Sequence, residues 1–200
     1  MSTQPWSAYD DGYLRAYQWA GALAAGSPLP QEAATIPLNP GEVAHARFAP
    51  VALSGYFGEA QEYHRSFLLV GGPVGLALTG AASYARNKQK QAQAAAAAVP
   101  RWHQLGPADV VMTNQRLVVN GQGRGGAFWY AEMGPLQLVP GPRGAAGVQL
   151  QPSGQPLLRI ESVYAPLLYV FVHHLVDGRA PGVPMPAGLL ERAAAEGRLR

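Results

Sequence analysis

The chain has no cysteine. That excludes disulfide staples, thiolate metal sites and cysteine nucleophiles, and it fits a reducing compartment. With 200 residues the chain can bury a core without covalent help. Lysine is nearly absent too: Lys88 and Lys90 are the only two, and arginine supplies the other positive charges. This usage, poor in Lys and rich in Gly, Ala and Pro, looks like the mutational bias of a high-GC genome and carries no functional signal by itself. The first residues, Met1 to Asp11, lack the basic flank and apolar core of a signal peptide, so a cytoplasmic location is expected. Also missing are Gly-x-Ser-x-Gly, His-Glu-x-x-His and any acidic pair in a catalytic setting. An enzyme is not expected, and no cofactor is implied.

What charge there is falls unevenly. Residues 1–62 carry two basic and six acidic side chains; residues 63–131 carry seven basic side chains against Asp109 alone. A basic block of this kind is either a solvated surface or the footprint of an anionic partner.

The most legible stretch is Asp109–Val119. Two β-rich runs, Val110-Val111-Met112 and Leu117-Val118-Val119, are joined by Thr113-Asn114-Gln115-Arg116 and read as paired strands. Upstream, residues 7–25 read as a helix with Ser7 as N-cap, Asp10 three residues on, and Gly26 and Pro28 as the stop. Trp6, Tyr9, Tyr13, Tyr17, Ala20 and Ala24 recur at spacings of three and four and are expected to form its docking face. Pro28, Pro30, Pro37 and Pro40 mark an extended linker over 27–41. Val43–Phe57 reads as one long strand, or a strand with a bulge, with Pro50 and Gly55 as breaks.

Phe67–Ala85 contains no charge over 19 residues, with Arg65 before it and Arg86, Lys88 and Lys90 after it. Three readings stay open: a buried small-residue helix, a membrane-surface or re-entrant segment, and a full span. Gly71, Gly72, Pro73, Gly75 and Gly80 weigh against the span. Helix is expected to continue over Gln89–Ala98 and to stop at Pro100. Trp102 then enters the sheet, and Leu105-Gly106-Pro107 reads as a turn.

Downstream, Ala127–Met133, Leu136–Val139, Gly147–Gln151 and Leu157–Ile160 alternate with Gly/Pro segments, the pattern of an antiparallel meander. Ser162 is expected to cap a last helix, Val163–Val176, that ends at Asp177-Gly178 with Pro166 in its first turn. Residues 179–186 form a proline-rich break, and Pro186–Arg200 reads as a short peripheral helix.

One long strand, an interruption, about six short strands and a terminal apolar helix is the order of a PH-like domain. Val110-Val-Met-Thr-Asn-Gln-Arg-Leu-Val-Val119 resembles the "vTxxRl" strand pair of bacterial PH-like and GRAM-like domains of actinobacterial type. Tyr164-Ala-Pro-Leu-Leu-Tyr-Val-Phe-Val-His-His-Leu-Val-Asp177 resembles their closing helix. The resemblance covers roughly residues 41–178. It implies an α+β fold: a bent antiparallel sheet or barrel of about seven strands, capped by a C-terminal helix. Residues 1–40 would be an N-terminal helix and linker, 58–108 a helical insertion between the first two strands, and 179–200 an appended break and helix. The Lys…Arg-x-Arg arrangement of inositide-binding relatives is absent, so specific inositide recognition is not implied. If the first strand pairs with strands after the insertion, both ends of the insertion lie on one side, and any membrane contact of 67–85 would be re-entrant or interfacial.

Gly121-x-Gly123-x-x-Gly126 matches a dinucleotide fingerprint in letters only. It leads into the strand-like Phe128-Trp129-Tyr130 and not into a helix, so it reads as a hairpin loop. Adjacent His173 and His174 point about 100° apart on a helix and do not make a metal site; one should be core-facing or interfacial and the other exposed. The best binding candidate is the basic set Arg86, Lys88, Lys90 and Arg101, with Arg116 and Arg124 as further members. Beside an apolar segment it reads as an anchor for anionic lipid or a contact for a protein partner. Nucleic acid ranks lower, because only Trp102 is interleaved with the charges. The expected function is a non-enzymatic PH-like binding or scaffold module, peripheral at the inner membrane face. The alternative is a structural subunit of a larger assembly, self-association included, with the extra helices as interfaces.

Overall fold

The computed structural model describes residues 5–58, 99–121, 124–140 and 146–199, with the side chain of Arg124 outside that set. The apolar stretch 67–85, the helix expected over 89–98, and Arg86, Lys88 and Lys90 lie outside the described residues. Among the described residues the fold is α+β. Helix α1 is Ala8–Ala24. Strands follow at β1 (Ala44–Phe57), β2 (Arg101–Thr113), β3 (Arg116–Gly121), β4 (Arg124–Trp129), β5 (Gln137–Pro140), β6 (Ala146–Leu150) and β7 (Leu157–Glu161), then helices α2 (Ala165–Asp177) and α3 (Leu189–Ala195).

All seven strands form one sheet in the order β4-β3-β2-β1-β7-β6-β5. Every pairing is antiparallel. The expected strand pair 110–112 and 117–119 is there, with Val110 opposite Val119 and Met112 opposite Leu117. The long β1 and β2 are the sheet's spine. The last part of β2, Ala108–Met112, pairs onward with β3, which pairs with β4; Ala52–Tyr56 of β1 pairs onward with β7. Register shifts between Phe48 and Val51 and between Leu53 and Ser54 interrupt the β1–β2 ladder.

Two expected breaks are therefore bulges inside strands. Pro50 sits where β7 has not yet begun to pair, so its missing N–H costs no ladder bond on that side. Gly106, at φ +99°, faces Leu53 at the second shift and re-aims β2 without ending it. The turn expected at Leu105-Gly106-Pro107 is corrected accordingly. Pro107 is likewise tolerated because β3 pairing starts one residue later, at Ala108.

The core gathers Phe48, Val51, Val110, Met112, Leu117, Phe128, Val148 and Ile160 from the sheet with Leu168 and Phe171 from α2. Helix α2 lies against β5 and β6, α1 packs on α2, and α3 on α1. Ser7 makes the expected capping box with Asp10. The aromatic stripe is only part of the docking face of α1: Tyr13 and Ala20 pack against the core, but Tyr17 is 43% exposed and Ala24 is exposed. The face toward α2 contains Gly12, Ala16, Trp19 and Leu23, and Trp19 meets Phe171 edge-on with ring centroids 5.2 Å apart. Gly12 is required there, since a Cβ would lie 1.7 Å from the Val163 carbonyl oxygen.

Two further boundaries move. Strand β4 stops at Trp129 because Tyr130 donates its amide to the Gln115 carbonyl and its hydroxyl to the Thr113 carbonyl at 2.8 Å, turning the chain into a short 3-10 segment. Helix α2 starts after Tyr164; Ser162 shapes the preceding turn, its Oγ accepting from the Tyr164 amide. The C-terminal helix is not peripheral in contact: Leu189 and Ala193 are buried.

Candidate binding surface at the root of the insertion

Strand β1 ends at Phe57 and β2 begins at Arg101, and these two residues are register partners. The long segment between them leaves the sheet and re-enters it at neighbouring positions. Tyr56 faces Trp102 across the pair, their rings 5.4 Å apart and tilted by 52°. The Arg159 guanidinium from β7 covers the Trp102 ring at 4.2 Å and lies 3.5 Å from Glu161. Tyr56 is 41% exposed. The next residues in each strand point to the other face. There Phe57 and His103 stack at 4.2 Å, and His103 Nε2 donates to the Phe57 carbonyl at 3.0 Å. The corner is thus aromatic on both faces with a cation over one of them. Such a cluster holds two strand ends rigidly and offers flat, amphipathic surface for contact.

Of the six basic residues expected to act together, Arg101 and Arg116, the two with described side chains, lie far apart. Arg101 is exposed at this corner. Arg116 is at the far end of the β2–β3 ribbon, opposite Trp129. Twelve strand positions separate Arg101 from Thr113 along β2, about 40 Å at the usual rise per residue. Arg124 pairs with Gly121 at the β3–β4 hairpin, which the glycine-rich 120–126 stretch closes as expected.

Arg116 is also withdrawn from the anion-binding set by its partner. Its Nε and Nη2 hold Glu42 at 2.7 and 3.0 Å, and its Nη2 reaches the Pro37 carbonyl at 3.1 Å. Thr113 Oγ1 donates to the same carboxylate at 2.7 Å and accepts from the Gln115 and Arg116 amides. The Asn39 amide and side chain complete the shell at 2.8 and 2.9 Å. The Glu42 side chain has no solvent exposure and that of Arg116 is 16% exposed. Hydrogen bonding to Arg116, helped by Asn39 and Thr113, outweighs burial and holds Glu42 at about 2. Burial, and then the Glu42 charge, push the Tyr130 hydroxyl far above its ordinary value. Asn114 joins the clamp by accepting from the Val43 amide at 2.9 Å and donating to the Gly41 carbonyl. The Thr113–Arg116 turn therefore fastens the end of the proline-rich linker to the sheet.

No known protein family, characterised protein or solved structure matches this chain.

Neither adjacent histidine is simply core or solvent. His173 pairs with Asp177 at 2.6 Å and contacts the Tyr169 ring edge-on, whereas His174 is partly buried with an unpartnered Nδ1. Among the described residues no helix is long and apolar enough to cross a membrane, and no three His, Asp or Glu side chains converge as metal ligands. Sequence reasoning missed Tyr56 and Arg159 at the corner and Glu42 in the clamp. No local signal placed Tyr56 beside Trp102, because register shifts break the alternation of β1.

Proposed function

We propose that the protein is a non-enzymatic, PH-like binding module that associates peripherally with anionic membrane through its insertion. The observation that carries the reading is the register pairing of Phe57 with Arg101. A segment that returns to its starting point cannot cross a bilayer an odd number of times without tearing β1 from β2. Residues 67–85, uncharged and followed by Arg86, Lys88 and Lys90, are then suited to an interfacial contact, with Arg101 at the sheet corner as a further cation. The sheet order and the C-terminal helix against β5 and β6 support the PH-like part of the reading.

Each cation near an anionic surface contributes about 1 kcal/mol, so four give roughly 4 kcal/mol, a weak attachment that salt weakens further. The test is vesicle co-sedimentation of the full chain against the combined Arg86→Ala, Lys88→Ala, Lys90→Ala variant. Binding to vesicles containing anionic lipid should fall about a hundredfold. Equal binding of both proteins would overturn the assignment. The rival reading, an assembly subunit docking through its extra helices, has fewer free surfaces to use: α1 packs on α2, and α3 on α1, within the same chain.

A further inference from the structure

A groove lies between α2 and the segment that leads into β5. One wall is the backbone run Met133–Leu136 between β4 and β5; the other is Val172 and Val176 of α2. The cavity measures about 290 Å³. It is preformed: the Gly134 amide donates to the Gln151 carbonyl at 2.9 Å, and Met133 bridges to Pro152. The walls are apolar, and the polar groups at the rim are mostly acceptors. Asp177 uses Oδ2 for His173, and its Oδ1 has no partner among the described residues. The Leu136 carbonyl has only a long 3.4 Å contact from His173 Nε2. Gly178, at φ +70°, ends α2; its amide donates to the His174 carbonyl at 3.0 Å, and the carbonyls after His174 have no further helical turn to pair with. They add the negative end of the helix dipole to the carboxylate. Arg179, exposed just past the helix, does not line the groove.

We propose that this groove binds small hydrophobic amines. The apolar body, one ring with a short chain, lies between the Met133–Leu136 wall and Val172 and Val176. The protonated amino group donates to Asp177 Oδ1 and the Leu136 carbonyl, the two acceptors left under-used. The proposal is independent of the membrane reading, because it uses neither the insertion nor the sheet corner.

The test uses three matched probes: 2-phenylethylamine, 2-phenylethanol and 3-phenylpropanoate. Each is titrated into the ¹⁵N-labelled full chain while amide shifts of Gly134, Leu136 and Val172–Asp177 are followed. The amine should shift these amides and bind about tenfold more tightly than the alcohol, with the carboxylate weakest. Asp177→Asn should abolish the preference for the amine. Val176→Trp, at a position 49% exposed and therefore tolerant, should fill the groove and remove binding of all three. The same spectra report whether each variant is folded. Equal binding of amine and alcohol, retention of the preference in Asp177→Asn, or no shift at these amides at millimolar amine would overturn the proposal.

Discussion

Glu42 and Arg116 stand 74 positions apart in the chain and share one buried site. Removing one partner of such a pair strands the other, so Glu42→Ala should cost about 3 kcal/mol in urea denaturation. The pair also sets an acid limit. The folded carboxyl sits at about 2 against an ordinary 4.5, so its contribution is complete above pH 4.5 and fades as pH falls toward 2. Glu42→Gln should flatten the stability–pH curve over that window and leave the curve above it parallel to wild type. Nothing local in the sequence announced this. A count of charges marks Arg116 as part of a basic block, whereas the carboxylate that neutralises it comes from the linker. The Thr and Arg of the strand-pair motif were legible as a turn; that both hold one glutamate was not. Glycines give a second residue-scale test. Gly21 of α1 has open space around its missing Cβ, so Gly21→Ala should stabilise by about 0.5–1 kcal/mol through helix propensity. Gly12→Ala gains the same propensity but drives a Cβ into the Val163 carbonyl, and should destabilise by about 1–3 kcal/mol on balance, measured by thermal melting.

At the scale of elements, most strands were readable because alternation and Gly/Pro punctuation agree with burial. β3, β6 and β7 match their expected positions within a residue or so. Two errors have separate physical causes: at Gly106 a local breaker signal is overruled by pairing, and at Tyr130 a side-chain tie ends a strand early. The face of α1 was misread for a different reason. Close approach to α2 needs small residues, Gly12 and Ala16, and these carry too little hydropathy to outweigh a tyrosine stripe. The tail helix was placed but not its docking. The Trp6 ring lies 4.4 Å from the Arg192 guanidinium and 4.3 Å from that of Arg198, while Asp10 and Asp11 pair with the same two arginines. Trp6 Nε1 also donates to Glu196. These contacts join the start of α1 to α3. Trp6→Ala should raise amide hydrogen exchange over Leu189–Ala195 by about tenfold and leave β2 and β3 unchanged, because the main packing of α3 is on α1.

For the whole molecule, the arrangement is a single sheet whose spine strands carry a long segment at one corner and whose other side is closed by α2, α1 and α3 in succession. The α+β class and the seven strands were legible from the sequence; the sheet order and the adjacency of the insertion's two ends come from the structure. That adjacency is what makes the membrane reading specific, since it permits a contact at the surface and opposes a single crossing. It also makes the reading separable from the fold: Phe57 and Arg101 are already neighbours, so a short linker can replace most of what lies between them. The most direct measurement is liposome flotation at low and high salt, comparing the full chain with a deletion of residues 67–99 whose folding is verified by circular dichroism. The account predicts flotation of the full chain on anionic liposomes, weakened by salt and lost in the folded deletion. A full chain that stays at the bottom of the gradient at low salt, or a deletion that floats as well as the full chain, would contradict it.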